Sequence, residues 1–298
     1  TIGKGRGVHS CPGTKKAFCC NLYVMDLVEN CPFDCSYCYL QTHLSSPFMR
    51  VNTNVEDYLA ELTELLEKYP TREFRIGTGE LADSLALDPM TEHSKALNAF
   101  VAANERVTLE YKTKSDRVDT VLSTPSNNRV VVGWSMNPRS IQTKDEHRTD
   151  SIDQRLAAAQ KVAAAGFRVA FHFDPIIRIP GWNFKYLALI DEIAAKFEAH
   201  QIAWISLGTL RFPPKLQETA RSRFPKSELP QTEMIEGVDN KKRYHPIERA
   251  DTYERMFRWL DSRLPETATY LCMENPTVWH HLAKGKPRDD KKLAGIFG

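Results

Sequence analysis

The 298-residue chain has no uninterrupted apolar run approaching the ~18 residues that a membrane-spanning helix requires. A helical membrane protein is therefore not expected. Nothing like a signal peptide follows Thr1, because Lys4 and Arg6 lead into glycine, histidine and cysteine instead of an apolar stretch. The chain opens without an initiator methionine, and a trimmed amino terminus is the expectation. An excess of one charge is also absent: 40 lysines and arginines against 38 aspartates and glutamates leave a net charge of +2. Any nucleic-acid footprint has to be local. No internal repeat, no low-complexity tract and no dinucleotide Gly-x-Gly-x-x-Gly opening occurs. What is present, 42% hydrophobic and 26% charged residues, suits a water-soluble core. The length accommodates two average domains or one large α/β barrel.

Cysteine is distributed unevenly. Six of the seven lie between Cys11 and Cys38, and the next is Cys272. A secreted disulfide scaffold is usually short, with an even count. Reduced thiols of a cytoplasmic protein, binding a metal or cluster, fit better. Cys31, Cys35 and Cys38 form a C-x3-C-x2-C run. Cys11, Cys19 and Cys20 show no ligand spacing, and adjacent residues do not readily chelate one ion, so these three read as packed thiols near the barrel opening.

Beyond the cysteines, apolar segments rich in branched residues alternate with amphipathic ones. Strands are expected at Leu22 to Val28, Phe74 to Ile76, Val107 to Lys112, Arg129 to Ser135, Arg168 to Phe173, Ile202 to Leu207 and Thr267 to Met273. Helices are expected at Val55 to Lys68, Glu92 to Asn104, Ile152 to Ala165, Phe184 to Ala199 and Ala250 to Leu264. The proline-rich stretch from Arg211 to Arg249 reads as a long excursion. Repeated βα units imply the α/β class, with a parallel sheet covered by helices. A single closed or partial βα barrel fits better than a doubly wound sheet. The expected divisions are an amino-terminal cysteine-containing segment (1–21), the barrel core (22–210) and a carboxy-terminal part (211–298) holding the excursion, a helix and a last strand. In such a barrel, chemistry gathers at the carboxyl ends of strands, which singles out Glu80, Lys114, Ser135, Asp174, Gly208 and Glu274.

The segment Cys31-Pro32-Phe33-Asp34-Cys35-Ser36-Tyr37-Cys38-Tyr39-Leu40-Gln41 follows the first of these core strands. Three thiolates at this spacing can hold three irons of a [4Fe–4S] cluster and leave the fourth open to a substrate or cofactor. Structural zinc usually presents two separated ligand pairs, and no second pair is seen. This arrangement resembles the radical S-adenosylmethionine (SAM) superfamily, and Gly77-Thr78-Gly79-Glu80 looks like a variant of that superfamily's Gly-Gly-Glu element. Tyr37 to Gln41, Thr113-Lys114, Ser135, Phe171-His172-Phe173-Asp174-Pro175 and Tyr270-Leu271-Cys272-Met273-Glu274 sharpen the likeness to the spore photoproduct lyase family. It covers the chain from Cys11 to about Trp279.

The resemblance implies a partial barrel, a [4Fe–4S] cluster on Cys31, Cys35 and Cys38, SAM cleaved reductively to a 5′-deoxyadenosyl radical, and repair of thymine photolesions in DNA. It also implies a reducing partner such as flavodoxin or ferredoxin. Carried over by position, Glu80 would take the SAM ammonium group, and Tyr39, Lys114 and Ser135 would contact other parts of the cofactor. Tyr37 would lie near the hydrogen-return path. One departure stands out: characterised lyases place a hydrogen-donating cysteine after the second strand, where this chain has Glu80-Leu81-Ala82-Asp83-Ser84. The donors left to consider are Cys272, Tyr37 and Tyr39. A SAM radical enzyme with a small-molecule, peptide or protein substrate is the first alternative. A noncatalytic iron–sulfur or zinc protein is the second.

Strand alternation places Tyr270, Cys272 and Glu274 on one face and makes Cys272 either a hydrogen donor or an inert core thiol. His172 and Asp174 share a face as well. They are expected either beside SAM or substrate, or as a structural hydrogen-bonded pair. Lys241-Lys242-Arg243-Tyr244-His245 combines charge with an aromatic ring, as phosphate-contacting and base-stacking segments do, with an ordinary solvated loop as the competing reading. The basic tail from Lys284 to Lys292 is expected to be a soluble end.

Overall fold

Eight strands make one curled sheet in the computed structural model, which describes residues 7–13, 17, 20–229 and 233–282. They are β1 (Val8–Ser10), β2 (Leu22–Met25), β3 (Phe74–Gly77), β4 (Val107–Thr113), β5 (Val130–Ser135), β6 (Arg168–Ile176), β7 (Ile202–Thr209) and β8 (Thr269–Leu271). Their spatial order follows the chain order. From β2 to β8 every pair is parallel, whereas β1 runs antiparallel to β2. The amino-terminal segment thus supplies an edge strand to the barrel, which its composition did not suggest. The last strand pairs parallel with β7.

Helices α1 (Val55–Lys68), α2 (His93–Ala103), α3 (Ile152–Ala164), α4 (Trp182–Lys196) and α5 (Pro246–Arg263) lie among the crossovers. Helix α1 carries Glu56 and Asp57 in its first turn and Lys68 in its last, in keeping with the helix dipole. Its buried residues Val55, Tyr58, Leu62 and Leu66 recur at the spacing of one helical face. Helix α3 starts in a reciprocal cap, with the Ser151 hydroxyl accepting from Gln154 N–H and the Gln154 side chain accepting in return. Gly166, at φ +89°, allows the chain to turn from α3 into β6.

The central strands are buried on both sides, but the two sides differ in chemistry. In β4, Leu109 and Tyr111 face outward, and the Tyr111 hydroxyl donates to Asn98 of α2 at 2.8 Å. Glu110 faces the bore, where it meets residues of β3, β6 and β7. Strand β6 continues past Pro175 to Ile176, with its register to β7 shifted between Phe173 and Ile176; such an irregularity tolerates a residue without an N–H. The described part of the excursion after β7 carries a helix at Pro214–Arg223 and a small three-stranded sheet containing Lys242–Arg243.

Candidate active site

The C-x3-C-x2-C loop is fastened from several directions. Asp34–Cys35 pairs antiparallel with Glu146–His147, and Ser36 donates its N–H to the Asp145 carbonyl at 2.8 Å. The Ser36 hydroxyl donates to the Asp145 carboxylate at 2.7 Å, and Gln41 donates to the carbonyls of Cys35 and Ser36. From the excursion, Arg223 grips Asp34 at 2.9 and 3.1 Å and Gln41 at 2.6 Å. Cys35 is buried, and Cys31 and Cys38 are half-buried. Burial pushes the Cys31 thiol up to about 12. It raises Cys35 and Cys38 too, while the positive charge of Lys114 pulls both back. Three sheltered thiols in one another's electrostatic field, with a lysine to offset thiolate charge, match the donor set of an iron–sulfur cluster with an open iron.

Between these cysteines, Tyr37 donates its hydroxyl to Glu146. The same carboxylate accepts from Asn137 at 2.9 Å and from Arg155 at 2.6 Å. Asn137 in turn accepts from the Tyr186 hydroxyl at 2.6 Å. Burial pushes the Glu146 carboxyl up, but Arg155 and then Lys114 outweigh it and hold Glu146 below the ordinary carboxylate range. Lys114 sits over the Tyr37 ring, 5.8 Å from its centroid. Burial disfavours its charge, and the fields of Cys35 and Glu146 more than restore it. Ser135 is tied to this group through its carbonyl, which accepts from Arg155 at 2.8 Å.

The loop after β3 is organised by Asp83. One oxygen accepts from the N–H groups of Leu85 and Ala86 and from the Thr113 hydroxyl, and the other accepts from Lys114 N–H at 2.7 Å. The loop is thereby fixed to the end of β4. Gly79 lies so close to β4 that a Cβ there would stand 3.1 Å from Lys112 Cβ and 3.2 Å from its carbonyl. Tyr39 donates its hydroxyl to the Glu80 carbonyl at 2.8 Å, which joins the cysteine loop to this one. The Glu80 carboxylate belongs to a group with His9 and Asp26.

Deeper in the bore, Glu110 faces Arg75 at 2.7 Å, His172 Nε2 at 2.7 Å and Trp204 Nε1 at 3.0 Å. His172 Nδ1 lies 2.6 Å from the Ser206 hydroxyl. A carboxylate beside Nε2 requires the proton there, so Nδ1 is the acceptor for Ser206 in the neutral ring. His172 reaches Glu110 past β5 only because residue 133 is glycine; a Cβ would stand 2.6 Å from Nε2. At the rim, Arg211 clasps Asp174 with two hydrogen bonds of 2.8 and 3.1 Å. Cys272 lies nearby, its thiol pushed up by burial and by the Asp174 charge.

Several expectations are corrected by these contacts. His172 and Asp174 are not a pair: each is claimed by a neighbouring strand or loop, through Glu110 and Ser206 or through Arg211. Glu274 does not share a face with Cys272. Met273 takes a left-handed backbone conformation, φ 53°, which ends the alternation. Glu274 consequently meets Tyr253 and Arg249 of α5. Arg243 is no phosphate contact, being buried against Asp239 at 2.7 Å. Tyr244 cannot stack on a base, since it is buried and its hydroxyl accepts from Arg178 N–H at 3.0 Å. Cys20 packs against the core; Cys19 and the tail from Lys284 to Lys292 lie outside the described residues. Glu146, Arg155, Asp83 and Glu110 escaped sequence reading. For Asp83, Glu110 and Arg155 the available signal was a charge embedded in an otherwise apolar or alanine-rich stretch; Glu146, in the polar run Thr143 to Arg148, gave none.

Comparison with known proteins gives a consistent picture. A family model described as spore photoproduct lyase matches residues 14–247. The chain is 31% identical over 261 residues to the spore photoproduct lyase of Geobacillus sp. (strain Y412MC61), covering 86% of this chain and 74% of that protein. To the spore photoproduct lyase of Bacillus subtilis (strain 168) it is 27% identical over 211 residues, 70% of this chain and 61% of that protein. A solved spore photoproduct lyase double mutant with bound AdoMet and dinucleoside spore photoproduct superposes with a TM-score of 0.80 at 27% identity, covering 92% of this chain and 81% of the other.

Proposed function

The chain belongs to the spore photoproduct lyase family, within the radical SAM superfamily, and from that premise we propose that it is a lyase-type radical enzyme acting on a cross-linked thymine lesion in DNA. In this reading Cys31, Cys35 and Cys38 hold a [4Fe–4S] cluster and SAM binds at its open iron. The observation that carries it is the meeting of three sheltered thiols with Lys114 and Tyr37 at the carboxyl ends of the barrel strands. When bound, the cluster and SAM supply the reducing electron and the deoxyadenosyl radical.

The chain's own residues do the rest. Lys114 keeps its charge beside Cys35 and Cys38, and with Tyr39 and Ser135 it offers polar contacts to the cofactor. His172 and Asp174, held by Glu110 and Arg211, shape the floor and the far wall. Glu80 is joined to Tyr39 through its carbonyl, which accepts the Tyr39 hydroxyl at 2.8 Å, and its carboxylate lies with His9 and Asp26. Tyr37 holds its proton on the hydroxyl because burial and the Glu146 charge both oppose ionisation. The Arg223 clasp on Asp34 and Gln41 helps to cover the cysteine loop against water. Lys241 and Lys242 are left as the basic rim for DNA, and a flavodoxin or ferredoxin would deliver the electron.

A second reading keeps the cofactor chemistry and changes the substrate. It is favoured by one feature: no cysteine lies between Cys38 and Cys272, so the loop after β3 cannot return hydrogen as a thiol would. Anaerobic reconstitution with SAM and a reductant tests the common part, and Cys35→Ala should lose the cluster absorbance and deoxyadenosine formation together. A thymine lesion deuterated at the abstracted position tests the finer part. Deuterium in the recovered deoxyadenosine is expected, and SAM cleavage without that transfer would leave only the second reading. If Cys272 is the hydrogen donor, Cys272→Ala should still cleave SAM but yield misquenched product; normal product at normal rate makes that thiol core packing.

A further inference from the structure

We propose that His9, Asp26 and Glu80 form a site for one divalent first-row metal ion of the zinc and manganese class, at the amino-terminal corner of the barrel mouth. Strand register assembles it. His9 stands opposite Val24 across the β1–β2 pair, and Asp26 follows two residues later on the Val24 face. Val24 is beside Gly77 of β3, and Glu80 lies three residues beyond. The backbone of β1 is held there by Val8 N–H, which donates to Glu61 of α1 at 2.8 Å. One ligand atom from each residue lies within 4.8 Å of the other two. Ligands sharing an ion at about 2.0–2.2 Å stand at most about 4.4 Å apart, so a small closure completes the site.

Two further observations point to a cation. Asp26 is only 7% exposed; its Oδ2 lies 3.0 Å from His9 Nε2, while its Oδ1 is buried without a hydrogen-bond partner. A buried carboxylate oxygen lacking a donor is unfavourable, and a metal ion would satisfy it. The second concerns the imidazole. His9 Nδ1 lies 3.0 Å from the Ser10 carbonyl, which can only accept, so Nδ1 carries hydrogen. With Asp26 Oδ2 3.0 Å away, Nε2 holds a proton when no ion is bound, and a metal ion would take that proton's place. An imidazole that gives one N–H to a carbonyl and aims its other nitrogen at anionic oxygens has the arrangement of a metal ligand. One nitrogen and two oxygens, with no sulfur, suit zinc or manganese over a thiophilic ion. Such an ion would tie the amino-terminal strand to the first two barrel strands, independently of the activity proposed above.

Mn²⁺ is the probe, because it has little affinity for the chain's thiols. With the full chain purified anaerobically, the free Mn²⁺ electron paramagnetic resonance signal should fall by one equivalent per protein. Zn²⁺ should restore it. Asp26→Asn and His9→Ala should each weaken uptake at least about tenfold, given that even outer-shell changes cost 10–100-fold. No uptake by the wild type at millimolar Mn²⁺ would overturn the site and leave His9 as an imidazolium paired with the carboxylates. Equal uptake by the double variant would overturn it as well. Should the variants fail to fold, Mn²⁺ broadening of the His9 imidazole resonances in the wild type decides: unbroadened resonances refute the proposal.

Discussion

Glu146 and Glu110 are both buried carboxylates facing an arginine, yet the two networks are built on different plans. Beneath the cysteine loop, Arg155 uses Nε, Nη1 and Nη2 on Asp150, Ser135, Thr149 and Glu146. Glu146 has partners on both oxygens, and the pair has 0% side-chain exposure. In the bore, Arg75 spends Nη2 on Glu110 and on the Tyr270 hydroxyl, but Nε and Nη1 are buried without hydrogen-bond partners. Its guanidinium instead stacks 3.9 Å from the Trp204 ring centroid. The saturated network is drawn mostly from the stretch 135–155, with Tyr37 donating into it from the cysteine loop. The unsaturated one joins five strands and leans on aromatic faces and a histidine.

The largest effect is expected from Arg155→Met, which removes the hydrogen bonds to Asp150, Ser135, Thr149 and Glu146 together with the buried ion pair and should cost about 3–5 kcal/mol in urea unfolding. A loss under about 1 kcal/mol would contradict the saturated arrangement. Arg75→Met should cost less, about 1–3 kcal/mol, because Glu110 keeps Trp204 and His172, and His172 can take up a proton. Equal losses in the two variants would break the comparison.

The pH dependence of His172 sharpens it. Burial, with Lys112 and Arg75 nearby, outweighs the pull of Glu110 and holds the His172 pKa below its ordinary 6.5. The unfolded chain therefore takes a proton near pH 6.5 that the folded chain refuses. The stability from this group is complete above pH 6.5 and is lost as pH falls toward the folded value, by at most about 1.4 kcal/mol per pH unit. His172→Asn should flatten that limb of the urea midpoint against pH; an unchanged slope would show that His172 does not titrate differently on folding. The smallest effect belongs to Arg139→Ala at the surface, where ion pairs with Asp153 and Glu192 should be worth less than about 1 kcal/mol.

Helix α1 was legible to the residue, Val55–Lys68, because its 3.6-residue periodicity and terminal charges are local properties. The strands from β2 to β8 were legible within a few residues for the same reason, whereas the edge strand β1 was not expected. Glu274 was misplaced because a single left-handed residue, Met273, interrupts an alternation that the amino-acid order alone continues. Arg243 and Tyr244 were misjudged because a basic, aromatic segment reads as surface until a partner such as Asp239 takes it inside. In the site, Cys31, Cys35, Cys38, Tyr37 and Tyr39 were legible as one contiguous motif. Glu146, Asp83, Asp26 and His9 were not, since each has a partner far along the chain, such as Tyr37 for Glu146, Thr113 for Asp83 and Asp26 for His9.

The order of amino acids alone determined the alternation of strands and helices, the barrel class and the spacing of three thiols on one loop. Those follow from interactions whose range is a turn of helix or a few residues of strand. Which polar groups meet inside the barrel was decided only by tertiary structure. Register between strands brought Glu110 to His172 and laid Asp26 beside His9, and the folding of the cysteine loop onto the barrel end set Tyr37 against Lys114. A buried charge is tolerable only where a partner is also buried, and that partner is a neighbour in space, supplied by a strand the local pattern cannot name.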